Sequence, residues 1–174
     1  MSDLSYPIGK FVAQSAITDA QRQELIATLD QTPAGARAAI TGLSAEQLET
    51  PYRPGGWTVR QTVHHLTDSH LNGYVRFKLG LTEDVPTVKP YAEKLWAELE
   101  DGRHAAPELS LRLLEAVHER WTICLRAQLP AVFAREVQHP EMGVMSLDVV
   151  LQLYAWHGQH HLAHITRLRE RMGW

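Results

Sequence analysis

Four stretches of this sequence carry apolar residues three and four apart over lengths that suit amphipathic helices. In "TDAQRQELIATLDQTPAGARAAITGL" Thr18 is placed to cap a first helix whose apolar positions include Leu25, Ile26, Leu29 and Ile40, with Pro33 expected to kink or split it. In the second, about Thr58 to Leu81, Thr58 and Gln61 have capping-box spacing and Val59, Val63 and Leu66 follow the helical period. Pro107 suits the first position of a third, striped by Leu111, Leu114, Val117, Trp121 and Leu125. Ser146 can cap a fourth, "LDVVLQLYAWHGQHHLAHITRLRERM", whose last turns are basic as the macrodipole favours.

Between these lie a capped turn at "SAEQL", a Pro- and Gly-rich loop at "ETPYRPGGW", a connection at "TEDVPTVKP", and "YAEKLWAELEDG", which reads as one short helix, a lid or a spacer. The segment before Ser146, polar and holding Pro140 and Gly143, reads as loop. Almost nothing reads as strand, so the expected fold is an all-α, antiparallel-type four-helix bundle with short accessory helices, one domain over residues 1–174. Such a length buries a core without staples. A net charge of −3 and no Lys/Arg stripe argue against a nucleic-acid partner. No apolar run approaches membrane-spanning length, and "MSDLSYPIGKFVAQ" lacks the features of a signal peptide. With Cys124 as the single cysteine, a reducing, cytoplasmic location and a small-molecule partner are expected.

Seven of ten histidines fall in two clusters, His64, His65 and His70 on the second helix and His157, His160, His161 and His164 on the fourth. Residues four apart share a helix face, so His157 with His161, or His160 with His164, could reach one ion. On the fourth helix Val150, Tyr154, His157, His161, Ile165 and Leu168 form one row, which puts His157 and His161 in the buried stripe, where idle imidazoles are costly. His160 and His164 lie nearer the flank with Leu153 and Trp156, where one of them could face substrate. The bland alternative is four half-exposed rings bonded to their neighbours.

A pair on one helix fills half a coordination shell, so a third ligand is expected from His64, His65 or His70. His65 is favoured because Asp68, three residues on, could orient its ring from behind. Three histidines leave a position open for water or substrate, the pattern of a catalytic rather than a closed structural site. Gly-Gln-His separates the pair, so the Glu of the H-E-x-x-H peptidase helix is absent.

At "YRPGGWTVRQTVHHLTDSHLNGYVRFKLGLTED" and "YAWHGQHHLAHI" the sequence resembles the DinB/YfiT-like metalloenzyme superfamily, and closely its YfiT branch of metal-dependent hydrolases and bacillithiol S-transferases. The similarity runs from "YPIG" through "HPEMGVMSLD" to the last helix. It implies a four-helix bundle, a homodimer, and one divalent ion per chain, zinc or nickel, on three histidines that fall on His64/His65, His157 and His161.

An ion with an open position lowers the pKa of bound water toward about 7 and deprotonates a coordinating thiol. The resemblance therefore implies a thiol S-transferase joining a bacillithiol-type thiol to a small electrophile, with a metal-dependent hydrolase as the alternative. Cys124 reads as a small buried hydrophobe, which makes the thiol a cosubstrate. Its carboxylates could meet Arg60, Arg76 or Lys78. Trp57, Trp96, Trp121 and Trp156 could line a pocket, although core packing suits each, and Glu93 and Glu98 join Asp68 as candidate bases. A third expectation is a non-catalytic bundle whose ion is closed off by His164 as fourth ligand.

Overall fold

The computed structural model describes residues 4–174, so the first three residues of the N-terminal stretch lie outside the described residues. All four apolar stripes are helical: α1 (Asp19–Ile40) and α3 (Val59–Thr82) begin with the capping boxes Thr18/Gln21 and Thr58/Gln61, α6 (Pro107–Arg126) begins on its proline, and α7 (Leu147–Met172) is capped by Ser146. Gly173 closes α7 in the left-handed conformation that glycine adopts without penalty. The turn at "SAEQL" is the short helix α2 (Ala45–Leu48).

Three expectations are corrected. Of the kink or split expected at Pro33, the split does not occur, and α1 runs on as one element. Proline lacks the N–H that would bond the Leu29 carbonyl, and that carbonyl is met instead by His118 Nδ1 at 2.6 Å. The "YAEKLWAELEDG" segment is two helices, α4 (Glu93–Trp96) and α5 (Glu100–His104), because Leu99 is extended and Gln61 of α3 takes the Ala97 carbonyl at 2.9 Å. The polar segment before Ser146 is a hairpin after the 3-10 turn Pro130–Ala134. Its strands β1 (Glu136–His139) and β2 (Gly143–Ser146) pair with Val137 opposite Met145, both buried.

The helix order around the bundle also departs from a simple antiparallel array. α1 packs against α6 and α7, and α3 packs against the same two, so α1 and α3 face each other across a diagonal. Arg22 near the start of α1 pairs with Asp148 at the start of α7, and Arg169 near the end of α7 reaches the Ala39 carbonyl, so those two helices run parallel. His64 and His70 of α3 meet Ser110 and His118 of α6 in the same order, a second parallel pair. Parallel α3 and α6 need a return crossing, which the α4–α5 segment supplies.

Two apolar layers occupy the ends of the bundle. One gathers Leu29, Phe77, Trp121, Leu147 and Leu151, the other Ala36, Val63, Leu66, Leu114, Ile165 and Leu168. Between them, at mid-length, each long helix contributes buried polar side chains: Thr32, His65 and His70, His118, His161. No described helix is long and apolar enough to cross a membrane.

Candidate metal centre

Helical steps of four stack His157 on His161 along α7, and antiparallel α3 brings His65 against both. One nitrogen from each ring lies within 4.8 Å of the others, and the Nε2 atoms of His157 and His161 are 3.1 Å apart. Two nitrogens on a tetrahedral ion at ordinary Zn–N distances stand roughly 3.3 Å apart, so the pair is already at ligand spacing and His65 needs only a small approach. Burial pushes His65 down to about 4, with neighbouring His160 adding to it, and pushes His157 and His161 well below the ordinary histidine value. At neutral pH all three rings are uncharged, as ligation requires. The donor set therefore fits a divalent ion.

The other histidines are spoken for. His64 accepts from Ser110 through Nδ1 at 2.7 Å and donates from Nε2 to the Ala105 carbonyl at 3.1 Å, which leaves no nitrogen for an ion. His70 sits between His118 and His157. His160 and His164 are buried, with Nε2 atoms 3.0 Å apart, His160 stacked on Trp156 and His164 tilted against Tyr52, and His160 lines the cavity, as expected of one of the two. His164 thus stands with His160 outside the three-histidine group, and the fourth-ligand expectation does not hold. Asp68 does not support His65 either: no hydrogen bond joins them among the described residues. Burial pushes its carboxyl up to about 6, helped by nearby Asp101.

The three rings open onto a cavity of about 680 Å³ walled by Trp57, Tyr154 and Trp156, by Tyr91, Glu93 and Lys94 of the crossing segment, and by His139 and Glu141 of the hairpin turn. That volume suits a small organic molecule. The loop before α3 is closed by Tyr52 N–H donating to the Trp57 carbonyl and Val59 N–H to the Thr50 carbonyl, with Gly55 at φ 68°. It lays the Trp57 ring 4.3 Å from that of His65.

Of the three cations expected to meet an acidic cosubstrate, only Arg76 lines the cavity. Arg60 is paired with Glu49 and the Ala105 carbonyl, and Lys78 lies over the Tyr74 ring. Arg76 donates to Tyr154 Oη at 3.0 Å and to the Lys89 carbonyl at 2.8 Å, its Nε is buried without a partner, and it enters no ion pair among the described residues. Glu93 lines the cavity, whereas Glu98 is turned to Gln61 and Arg103. Trp121 is core, Trp96 packs on Tyr91 at the surface, and Cys124 is half-buried and does not line the cavity.

Sequence reasoning passed over His118 and His139. His118 had a legible signal, since it falls between Leu114 and Trp121 on the buried stripe of α6. His139 had none, because its strand was read as loop.

The DinB superfamily profile matches residues 28–165. A Bacillus subtilis (strain 168) protein named "Putative metal-dependent hydrolase YfiT" is 49% identical over 173 residues, which is 99% of this chain and 97% of that one. A Bacillus mycoides (strain KBAB4) protein of the same description is 48% identical over the full length of both. The solved structure of the Bacillus subtilis protein, described as a probable metal-dependent hydrolase with an unusual four-helix bundle topology, superposes with a TM-score of 0.96 over 98% of each chain. A second four-helix bundle, TT2238, superposes at 0.60 with 18% identity over 84% of this chain and 98% of its own, a likeness of fold alone.

Proposed function

The chain belongs to the DinB superfamily, and from that footing we propose a divalent-metal-dependent enzyme in which His65, His157 and His161 hold a zinc or nickel ion. The observation that carries this is three neutral, converging imidazoles on the floor of an organic-sized cavity. A divalent ion in that place supplies Lewis-acid activation of a nucleophile. The reaction we favour joins a low-molecular-weight thiol to a small electrophile. The thiol proton leaves to solvent, the sulfur–carbon bond forms, and the leaving group departs with its electron pair.

The chain's own residues bind and orient. Arg76, a cation with neutral partners only, suits a carboxylate on the thiol cosubstrate, as a bacillithiol-type molecule has. Tyr154, pushed up by burial, keeps its proton and steadies the guanidinium. Trp57 and Trp156 offer apolar walls to the electrophile and exclude water from the rings. Cys124 lies elsewhere, so the thiol comes from outside the chain.

Hydrolysis at the same site is the second reading, favoured by the description its relatives carry. Thiol conjugation, ester hydrolysis and amide hydrolysis, assayed side by side with and without chelator, separate the two. The expected result is chelator-sensitive conjugation that His157→Ala abolishes and Arg76→Gln weakens through the KM for the thiol. Chelator-sensitive hydrolysis without conjugation would favour the second reading, and a protein purified without a His-tag that retains no ion would sink both.

A further inference from the structure

A line of hydrogen bonds leads away from His157 into the interior and uses two histidines, His70 and His118, that stand outside both the cavity lining and the three-histidine group. His157 Nδ1 is 3.2 Å from His70 Nε2, His70 Nδ1 is 2.8 Å from His118 Nε2, and His118 Nδ1 is 2.6 Å from the Leu29 carbonyl. That carbonyl is available inside a helix because the residue four positions on is Pro33.

The end of the line fixes every proton along it. A carbonyl only accepts, so His118 Nδ1 carries a hydrogen. Each ring-to-ring contact holds one proton, and both rings are fully buried with no carboxylate hydrogen-bonded to either among the described residues, so each is a neutral imidazole with one hydrogen and a lone pair left on Nε2. His70 must then donate from Nδ1 to His118, and His157 must donate from Nδ1 to His70. We propose that His70 and His118 are positioning residues: the relay from the Leu29 carbonyl holds His157 as its Nδ1–H tautomer and turns its Nε2 lone pair toward the ion. The proposal rests on the metal-centre reading.

The packing suits that role. Tyr154 and Trp121 stand edge-on to the His70 ring at 5.3 and 6.3 Å between centroids, which fixes its plane. Gly158, next to His157, lets α7 approach closely: a Cβ there would lie 2.8 Å from Thr32 and 3.5 Å from His70. His161 lacks such a brace, since its Nδ1 is buried with no hydrogen-bond partner among the described residues. Metal-bound histidines are ordinarily oriented by a carboxylate, carbonyl or water directly behind them. Here two imidazoles carry that instruction from a carbonyl on α1 across to α7.

Long-range proton–nitrogen NMR on the metal-free full chain at neutral pH reads the tautomers directly. The relay requires His70, His118 and His157 all protonated at Nδ1, the reverse of the form free histidine favours in water. Nε2–H at His70 or His157 overturns it. Zinc affinity, measured by competition with a chelator, is expected to fall about 10- to 100-fold in His118→Phe, which removes the acceptor. His118→Gln places an oxygen near the lost Nε2 and is expected to recover most of that affinity. Wild-type affinity in His118→Phe overturns the proposal, and should that variant not fold, the wild-type tautomers still decide. A wild-type chain that binds no zinc overturns the metal-centre reading and the relay's purpose with it, whereas a zinc-binding chain with His157 protonated at Nε2 overturns the relay alone.

Discussion

Gly73 on α3 faces the Tyr154 ring so closely that an added Cβ would lie 2.5 Å from it and 2.8 Å from Trp121. The missing side chain is what allows Tyr154 to stand edge-on to His70 and accept from Arg76. Both aromatic neighbours are buried, so Gly73→Ala forces a shift, and overpacking of this kind costs about 1–3 kcal/mol. The urea midpoint should fall accordingly, and an unchanged midpoint would mean that Tyr154 can move aside freely. The ligand choice is testable at the same scale. His161→Ala should remove the bound ion while His160→Ala retains it, because His160 faces His164 and lies outside the three-histidine group. Metal analysis of the two variants checks this, and equal loss in both would place the site on the wrong pair. Doubled histidines leave such a register open in a sequence. The buried row through Tyr154 and Ile165 pointed to His157 and His161, but rejecting His64 needed the bonds from Ser110 and to Ala105, which no local pattern reveals.

The elements that could be read in advance are those that declare themselves locally. Thr18/Gln21 and Thr58/Gln61 mark two helix starts, and the apolar period carries α6 and α7 to within a residue or two of their ends. The hairpin escaped because each strand has four residues and the turn holds Pro140 and Gly143, which read as loop. What organises both hairpin and crossing segment is contact with α3. Arg135 donates to the Gly80 and Glu83 carbonyls near the end of α3, and Gln61 does double duty. Its Oε1 accepts from the Thr58 N–H in the capping box while its Nε2 donates to the Ala97 carbonyl and Glu98. Gln61→Ala therefore removes half of a cap and the tether of the α4–α5 segment together. The expected cost is about 1–2 kcal/mol, with faster amide exchange at residues 93–105 than in α6. Uniform protection across the two regions would show that the crossing segment is held by its other contacts.

At the scale of the whole molecule, a layer of neutral imidazoles sits between two apolar ends, and this makes the fold sensitive to acid. Burial holds His118 and His65 at about 4 and His164 at about 3, with His70, His157 and His161 lowered in the same direction, against an ordinary value of 6.5 in the unfolded chain. Between those limits the unfolded state binds more protons than the native one, so native stability is full above about pH 6.5 and is lost as pH falls toward 4. His118 alone accounts for on the order of 3 kcal/mol across that window. Asp68 works the other way: held up at about 6 from an ordinary 3.8, its carboxyl takes a proton in the native state first and offsets part of the loss. Added zinc stabilises only the native state, by an amount set by its affinity, and protons compete for the same three nitrogens. The melting temperature of metal-free protein should therefore drop steadily from pH 6.5 to 4. The increment produced by zinc should hold through pH 6, where the native rings are still unprotonated, and shrink as pH falls toward 4, where protons begin to take His65. His161→Ala should abolish the increment while keeping most of the metal-free slope, because His118, His70 and His65 remain buried. A flat metal-free profile between pH 7 and 5 would mean that water reaches the imidazole layer. An undiminished zinc increment in the variant would place the ion somewhere other than between α3 and α7.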